Sequence, residues 1–202
     1  MGLLYVFSTS LLYPVIAALL LLFAWSLALV GSLIQEYTSR HRDLGELEKA
    51  SLKAAELAGA GKAEDAAAAL SGYKSHQRVS LSLKEMARSL KGSLIEIRLE
   101  KILQDAELSM AKALEPERIG TKVGPILGLM GTLIPMGPAL IGLSSGDIKS
   151  MANNLVIAFA TTVIGLVVGG ICYGAVLIRG RWYKQDLSDL EYAAEILEMR
   201  AK

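Results

Sequence analysis

Three hydroxyl side chains are the residues best placed to do chemistry. Thr132 closes the run Leu127-Gly128-Leu129-Met130-Gly131-Thr132. Thr161 and Thr162 lie inside Ala160-Thr161-Thr162-Val163-Ile164-Gly165-Leu166. Each sits deep in a long apolar stretch that carries no charge. A hydroxyl in such a place has two uses. It can bond a carbonyl of its own helix and serve packing alone. With partners on a neighbouring helix, it can form a narrow polar seam that holds water or relays a proton. A carrier that takes up and releases protons also needs a titrating group at membrane depth. No Asp, Glu, His, Lys or Arg occurs within any of the apolar stretches, so that group would have to come from a partner.

Other motifs fail on chemistry. Gly61-Lys62 resembles part of a phosphate loop, but position 56 is Glu and position 63 is Ala. The motif needs Gly at the first and Ser or Thr at the second. His41-Arg42-Asp43 resembles a kinase catalytic triplet without any other kinase signature. The only histidines, His41 and His76, form no metal-ligand cluster with the single cysteine, Cys172. Cys172 has no partner for a disulfide within the chain, and reads as a small apolar packing residue. No nucleophile–base pair of useful spacing is present. The expectation is therefore no enzyme, no cofactor and no metal. A formal net charge of +1, with no clustered basic patch, also argues against nucleic acid as a partner.

These hydroxyls must be positioned by the apolar segments around them. Hydrophobic residues make up 52% of the chain, only slightly above a soluble protein's usual share of about 45–50%. They are segregated, however, and every charged residue lies in 36–122, 147–149 or 179–202. Each of the remaining stretches exceeds the roughly 20 apolar residues that cross a hydrocarbon core about 30 Å thick. Soluble helices keep a polar face, and these have none. Membrane spans are expected at 11–34, 123–143 and 154–178. The first lacks the basic start and short apolar core of a cleaved signal, so it reads as a retained anchor.

Arg40, Arg42, Arg118, Lys122, Arg179, Arg181 and Lys184 all flank the spans on one side. The opposite loop, 144–150, holds only Asp147 and Lys149. The positive-inside rule puts the N-terminus outside and the C-terminus in the cytoplasm. The expected organisation is a first segment and span at 1–34, a cytoplasmic helical region at 35–122, a transmembrane hairpin at 123–178 and a cytoplasmic helix at 179–202. The fold class is an all-α membrane protein with three transmembrane helices and long helical extensions, seated in the lipid bilayer of the inner or plasma membrane.

Within the cytoplasmic region, residues 36–57 read as one helix, broken at Gly59-Ala60-Gly61. A short Ala-rich helix follows to Leu70, then a break at Ser71-Gly72. Val79, Leu83, Met86, Leu90, Leu94 and Ile97 recur at three- and four-residue steps and predict one apolar stripe, ended by Pro116. Leu187, Leu190, Ala194 and Leu197 repeat the pattern in the tail. A helical bundle would bury these stripes. Tyr5 and Tyr13 suit the outer interface, Trp182 and Tyr183 the inner one, and Trp25 reads as a packing residue.

Small residues fill the second and third spans at four-residue spacing: Gly120, Gly124 and Gly128, then Gly165 and Gly169, then Gly170 and Gly174. Such spacing lets helices approach closely in lipid. Pro125, Pro135 and Pro138 fall in one span. Proline removes a backbone donor and frees a carbonyl, which predicts a helix shielded by protein or lining a wet path.

Taken together, Leu127–Thr132 and Ala160–Leu166 resemble the MotA/TolQ/ExbB proton channel family, over about residues 119–178. The three-span topology matches the TolQ/ExbB branch. The resemblance implies a pentamer whose second and third spans line a central pore around a single-span partner of the ExbD/TolR/MotB kind, on which an Asp is protonated and deprotonated. By position, Thr132 matches the second-span pore threonine and Thr162 the third-span one, with Thr161 beside it. Gly128, Gly131, Pro135, Gly165 and Gly169 would pack the helices around the pore. The family glutamate five residues before the third-span threonine is Ile157 here. The driving ion stays open between proton and sodium. A non-conducting oligomeric scaffold and a small-solute carrier are the competing functions, although a carrier's inverted repeats are missing.

Overall fold

The computed structural model describes residues 7, 9–40, 43–73, 77–89 and 95–201. Tyr5, His41, Arg42, His76, Leu90 and Leu94, each invoked above, lie outside the described residues. Among those described, the regular structure is helical: α1 (Leu12–Ser39), α2 (Leu44–Gly59), α3 (Ala63–Ser71), α4 (Gln77–Ser89), α5 (Ile95–Ala113), α6 (Glu115–Ser144) and α7 (Ile148–Ala201). Helices long and apolar enough to cross a membrane lie in Leu12–Ser39, Ile95–Ser144 and Ile148–Met199. Over the described residues the protein is all-α, with three helices long and apolar enough to span a membrane.

The described residues fall into two compact units. One draws on Met1–Ile34 and Glu115–Ile178, the other on Gln35–Leu114 and Arg179–Lys202.

In the first unit, α6 and the first part of α7 are antiparallel, because only Ser145, Gly146 and Asp147 join them. Gly146 takes a positive φ of 75°, which costs a glycine nothing. The Asp147 amide donates to the Gly142 carbonyl at 2.8 Å, closing the end of α6. The Asp147 carboxylate then accepts from the Ser150 amide at 2.9 Å and caps α7. α1 packs on this hairpin through Leu22, Phe23, Leu29 and Leu33 against Ile164, Val168, Ile171, Cys172 and Ala175. Trp25 is only partly covered, but its ring edge stands 3.0 Å from where a Cβ on Gly120 would be.

The second unit is a helical bundle with an ordinary apolar core. Leu47, Leu70, Leu83, Met86, Leu99, Leu190 and Leu197 are its largest buried side chains. Each fully buried leucine contributes roughly 1.5–3 kcal/mol relative to exposure. The breaks at Gly59–Gly61 and at Ser71-Gly72 stand where the sequence put them. Three features differ from expectation. The helix expected over 36–57 is two: α1 runs on to Ser39, and α2 restarts at Leu44 behind Asp43, whose carboxylate accepts from the Glu46 amide at 3.1 Å. Ile97 is off the stripe and 63% exposed, while Leu99 is fully buried; α5 sets its own phase through Leu99, Ala106 and Met110. Tyr183 is buried in this core. Trp182 stacks on Tyr37, ring centroids 6.3 Å apart, so neither aromatic serves as a simple lipid-boundary marker.

Arg40 and Arg179 likewise do more than flank a span. Arg40 pairs with Asp186, donates to the Trp182 carbonyl at 3.0 Å and lies 5.4 Å over the Trp182 ring. Arg179 donates from Nε to Glu36 at 2.9 Å. These four charged side chains are largely buried, so each pair fastens the end of α1 to α7. Removing one partner takes a counter-charge away from a buried group, at a cost of about 3–5 kcal/mol. Arg40→Ala is expected to lower stability by that order in a circular-dichroism melt in detergent. Adding Asp186→Leu should recover most of the loss. Absence of recovery would assign the effect to stacking on Trp182 instead.

Candidate functional site

The two helices carrying the threonines meet along a seam of small residues. On α6 the buried series is Glu117, Gly120, Gly124, Gly128, Gly131, Pro135, Ala139 and Gly142, at steps of three and four. The backbones touch. A Cβ on Gly165 would stand 2.6 Å from the Gly124 carbonyl oxygen, and one on Gly124 would stand 2.9 Å from the Gly165 oxygen. A Cβ on Gly128 would meet the Gly165 Cα at 3.2 Å, and one on Gly169 would meet the Pro125 ring at 2.8 Å. Lipid tails are as apolar as leucine, so this contact, rather than a hydrophobic force, brings helices together in a bilayer. Gly170 and Gly174 take no part: nothing lies within 4 Å of a Cβ at either.

The seam fixes where each threonine looks. Gly131 faces Thr161, whose Cβ would be 2.6 Å from a Cβ on Gly131. Thr161 is 5% exposed, and its hydroxyl donates to the carbonyls of Ala158 at 2.8 Å and Ile157 at 3.1 Å. It packs inside the hairpin. Thr132 and Thr162 each follow a seam residue by one position, a rotation of about 100°. Because the helices are antiparallel, the same offset on both turns them to the same flank. Both are half-buried. α1 occupies the other flank, since Ile171, which packs on the cluster that Leu29 of α1 shares with α7, lies nine residues from Thr162 and hence half a turn away. The flank with Thr132 and Thr162 is thus left open within this unit.

Hydrogen bonding sets what these groups offer. Thr132 donates to the Leu129 carbonyl at 2.7 Å and Thr162 to the Ala158 carbonyl at 3.2 Å. With their protons engaged, both oxygens present lone pairs outward. They can accept from water or from a protonated carboxyl. Pro135 is buried in the seam, and its missing N–H cannot bond the Gly131 carbonyl. Ile157 is 37% exposed. Among the described residues no group of three or more His, Cys, Asp or Glu side chains could hold a metal.

One feature escaped the sequence reading. Glu117, placed with the charged loop, is only 3% exposed; it lies three residues before Gly120, in phase with the glycine series, and that phase was the available signal. Cys172, read from the sequence as a packing residue, is fully buried, its sulfur 2.5 Å from a Cβ placed on Gly120, so it fills the seam opposite that glycine.

A model of the MotA/TolQ/ExbB proton channel family matches residues 69–191, more than half of the chain and including the whole seam between α6 and α7 described above. No curated protein matches the chain.

The seam makes opposite predictions for two glycines of one helix. Alanine is better than glycine in a helix by about 0.8–1 kcal/mol. At Gly165 the added methyl would meet backbone, and overpacking of that kind costs about 1–3 kcal/mol. Gly165→Ala is therefore expected to lower the melting temperature in detergent, and Gly174→Ala to leave it unchanged or raise it. Equal effects at the two positions would count against a backbone-contact seam.

Proposed function

The chain belongs to the MotA/TolQ/ExbB proton channel family, and on that premise we propose that it is the channel-forming subunit of an ion-driven membrane motor. Several copies, five by the family's pattern, surround a single-span partner of the ExbD/TolR/MotB kind. The partner carries the titrating carboxyl, and ion flow drives it to do work across the cell envelope. The N-terminus lies outside and the C-terminus in the cytoplasm, in the inner or plasma membrane.

The observation that carries this reading is the placement of Thr132 and Thr162 on one open flank of a tightly packed hairpin. Their oxygens are acceptors, so a protonated carboxyl is the group they greet best. Thr161 supports the pair from inside the seam. Gly128, Gly131, Pro135, Gly165 and Gly169 hold the helices close enough for the two hydroxyls to share a face. With Ile157 in place of a carboxylate, the spans of this chain carry no Asp or Glu. The whole charge change then falls on the partner. We take the proton as the driving ion. A membrane potential of 100 mV does about 2.3 kcal/mol of work per elementary charge, and a sodium ion would gain the same.

A scaffold without conduction would share the seam but not need the hydroxyls. Thr162→Val and Thr162→Ser separate the two. Valine keeps the shape and removes the acceptor, whereas serine keeps the acceptor. The expected result is that both variants assemble normally by native mass spectrometry. In vesicles containing the complex with its partner, Thr162→Ser should conduct protons and Thr162→Val should not. Full flux in Thr162→Val would overturn the proposal.

A further inference from the structure

The register that places Thr132 and Thr162 side by side repeats toward the other end of the hairpin. Gly131 faces Thr161, and Gly120 faces Cys172. The residues that follow are Thr132 and Thr162 in the first case, and Thr121 and Tyr173 in the second. Both members of the second pair lie eleven residues from their counterparts. Eleven residues are almost three full turns, so Thr121 shares the face of Thr132, and Tyr173 shares that of Thr162. The displacement is about 16 Å along the helices at 1.5 Å per residue, away from the turn between α6 and α7.

We propose that Thr121 and Tyr173 form a second hydrogen-bonding station on the same ion path, at its inner mouth. The inference rests on the pathway reading of Thr132 and Thr162 and extends it.

Chemistry at the pair fits that use. Tyr173 is 56% exposed, on a flank that α1 does not cover. Its phenol both donates and accepts, and so can pass a hydrogen bond along a water chain without changing charge. The Thr121 hydroxyl donates to the Glu117 carbonyl at 2.9 Å, which leaves its oxygen as an acceptor. Four residues on stands Pro125, which has no N–H to give the Thr121 carbonyl. That carbonyl lies 3.4 Å from a Cβ placed on Gly169, on the side of α6 that meets α7. Only Leu166 and Gly169 occupy the same face of α7 between Thr162 and Tyr173. A tyrosine that merely marked the lipid boundary would need neither a threonine at its level nor a place in phase with Thr162.

Silver ions test the face. They reach thiols that border water and spare those that border lipid or packed protein. Thr121→Cys, Tyr173→Cys, Thr162→Cys and Ile171→Cys are made singly in a Cys172→Ala background, in isolated membranes. Free thiol is then counted with a maleimide. The expected result is loss of the free thiol at 121, 173 and 162 with retention at 171. Loss at 162 with retention at 121 and 173 would overturn the inner station and leave the pathway standing. Retention at 162 would overturn the pathway itself. Loss at all four positions would show no selective face and overturn the station. Tyr173→Phe removes one oxygen and keeps the ring. In the vesicle assay it should lose flux while assembling normally, and unchanged flux would overturn the proposal.

Discussion

The close approach of α6 and α7 is the constraint on which the rest of the membrane unit depends. Water cannot drive two apolar helices together once both are in lipid. Dispersion and short-range contact must do it, and they fall off within an ångström or so. The glycines at 124, 128 and 165 remove the atoms that would hold the backbones apart. With the backbones touching, rotation of one helix against the other is no longer free, because any turn brings a side chain into the seam. The small residues thus fix orientation as well as distance.

Fixed orientation is what gives the threonines meaning. A hydroxyl on an isolated apolar helix satisfies itself on the turn before it, as Thr132, Thr161 and Thr162 all do. What differs among them is where the oxygen then looks. Thr161 looks across the seam and supports packing. Its neighbour, one position along, looks out on a flank that α1 leaves bare. A single residue step of about 100° separates a structural hydroxyl from one available to a ligand. The family match, over residues 69–191, contains this hairpin.

Most of this was legible in the sequence, because lipid imposes strict rules. Uncharged runs of spanning length, glycines at four-residue steps and hydroxyls between them are each visible without coordinates. Which glycines matter was not visible. Gly165 and Gly170 belong to equally regular series, yet only the first meets a partner; spacing reports a face and cannot say which face is occupied. The helical unit outside the spans was legible only in part. Its breaks at Gly59–Gly61 and Gly72 carry their own turn chemistry. The interruption between Ser39 and Leu44 has no glycine or proline to announce it, only an Asp43 cap. Likewise Arg40 and Arg179 look like ordinary span-flanking cations until Asp186 and Glu36 arrive from over a hundred residues away.

The absence of any Asp or Glu from residues 123–143 and 154–178 also shapes what the hairpin can contribute. A buried carboxyl that must both ionise and neutralise within a cycle is expensive to hold in either state. Hydroxyls avoid that cost, since they accept a hydrogen bond without gaining charge. Their protons here are already committed to helix carbonyls, so they favour a protonated partner over an ionised one. A surface of that kind lets a neutral acid pass and resists the anion. Direction must then come from where the acid can lose its proton to water, and a path lined by acceptors at two levels would keep water available at one end while the seam keeps it out of the hairpin's interior.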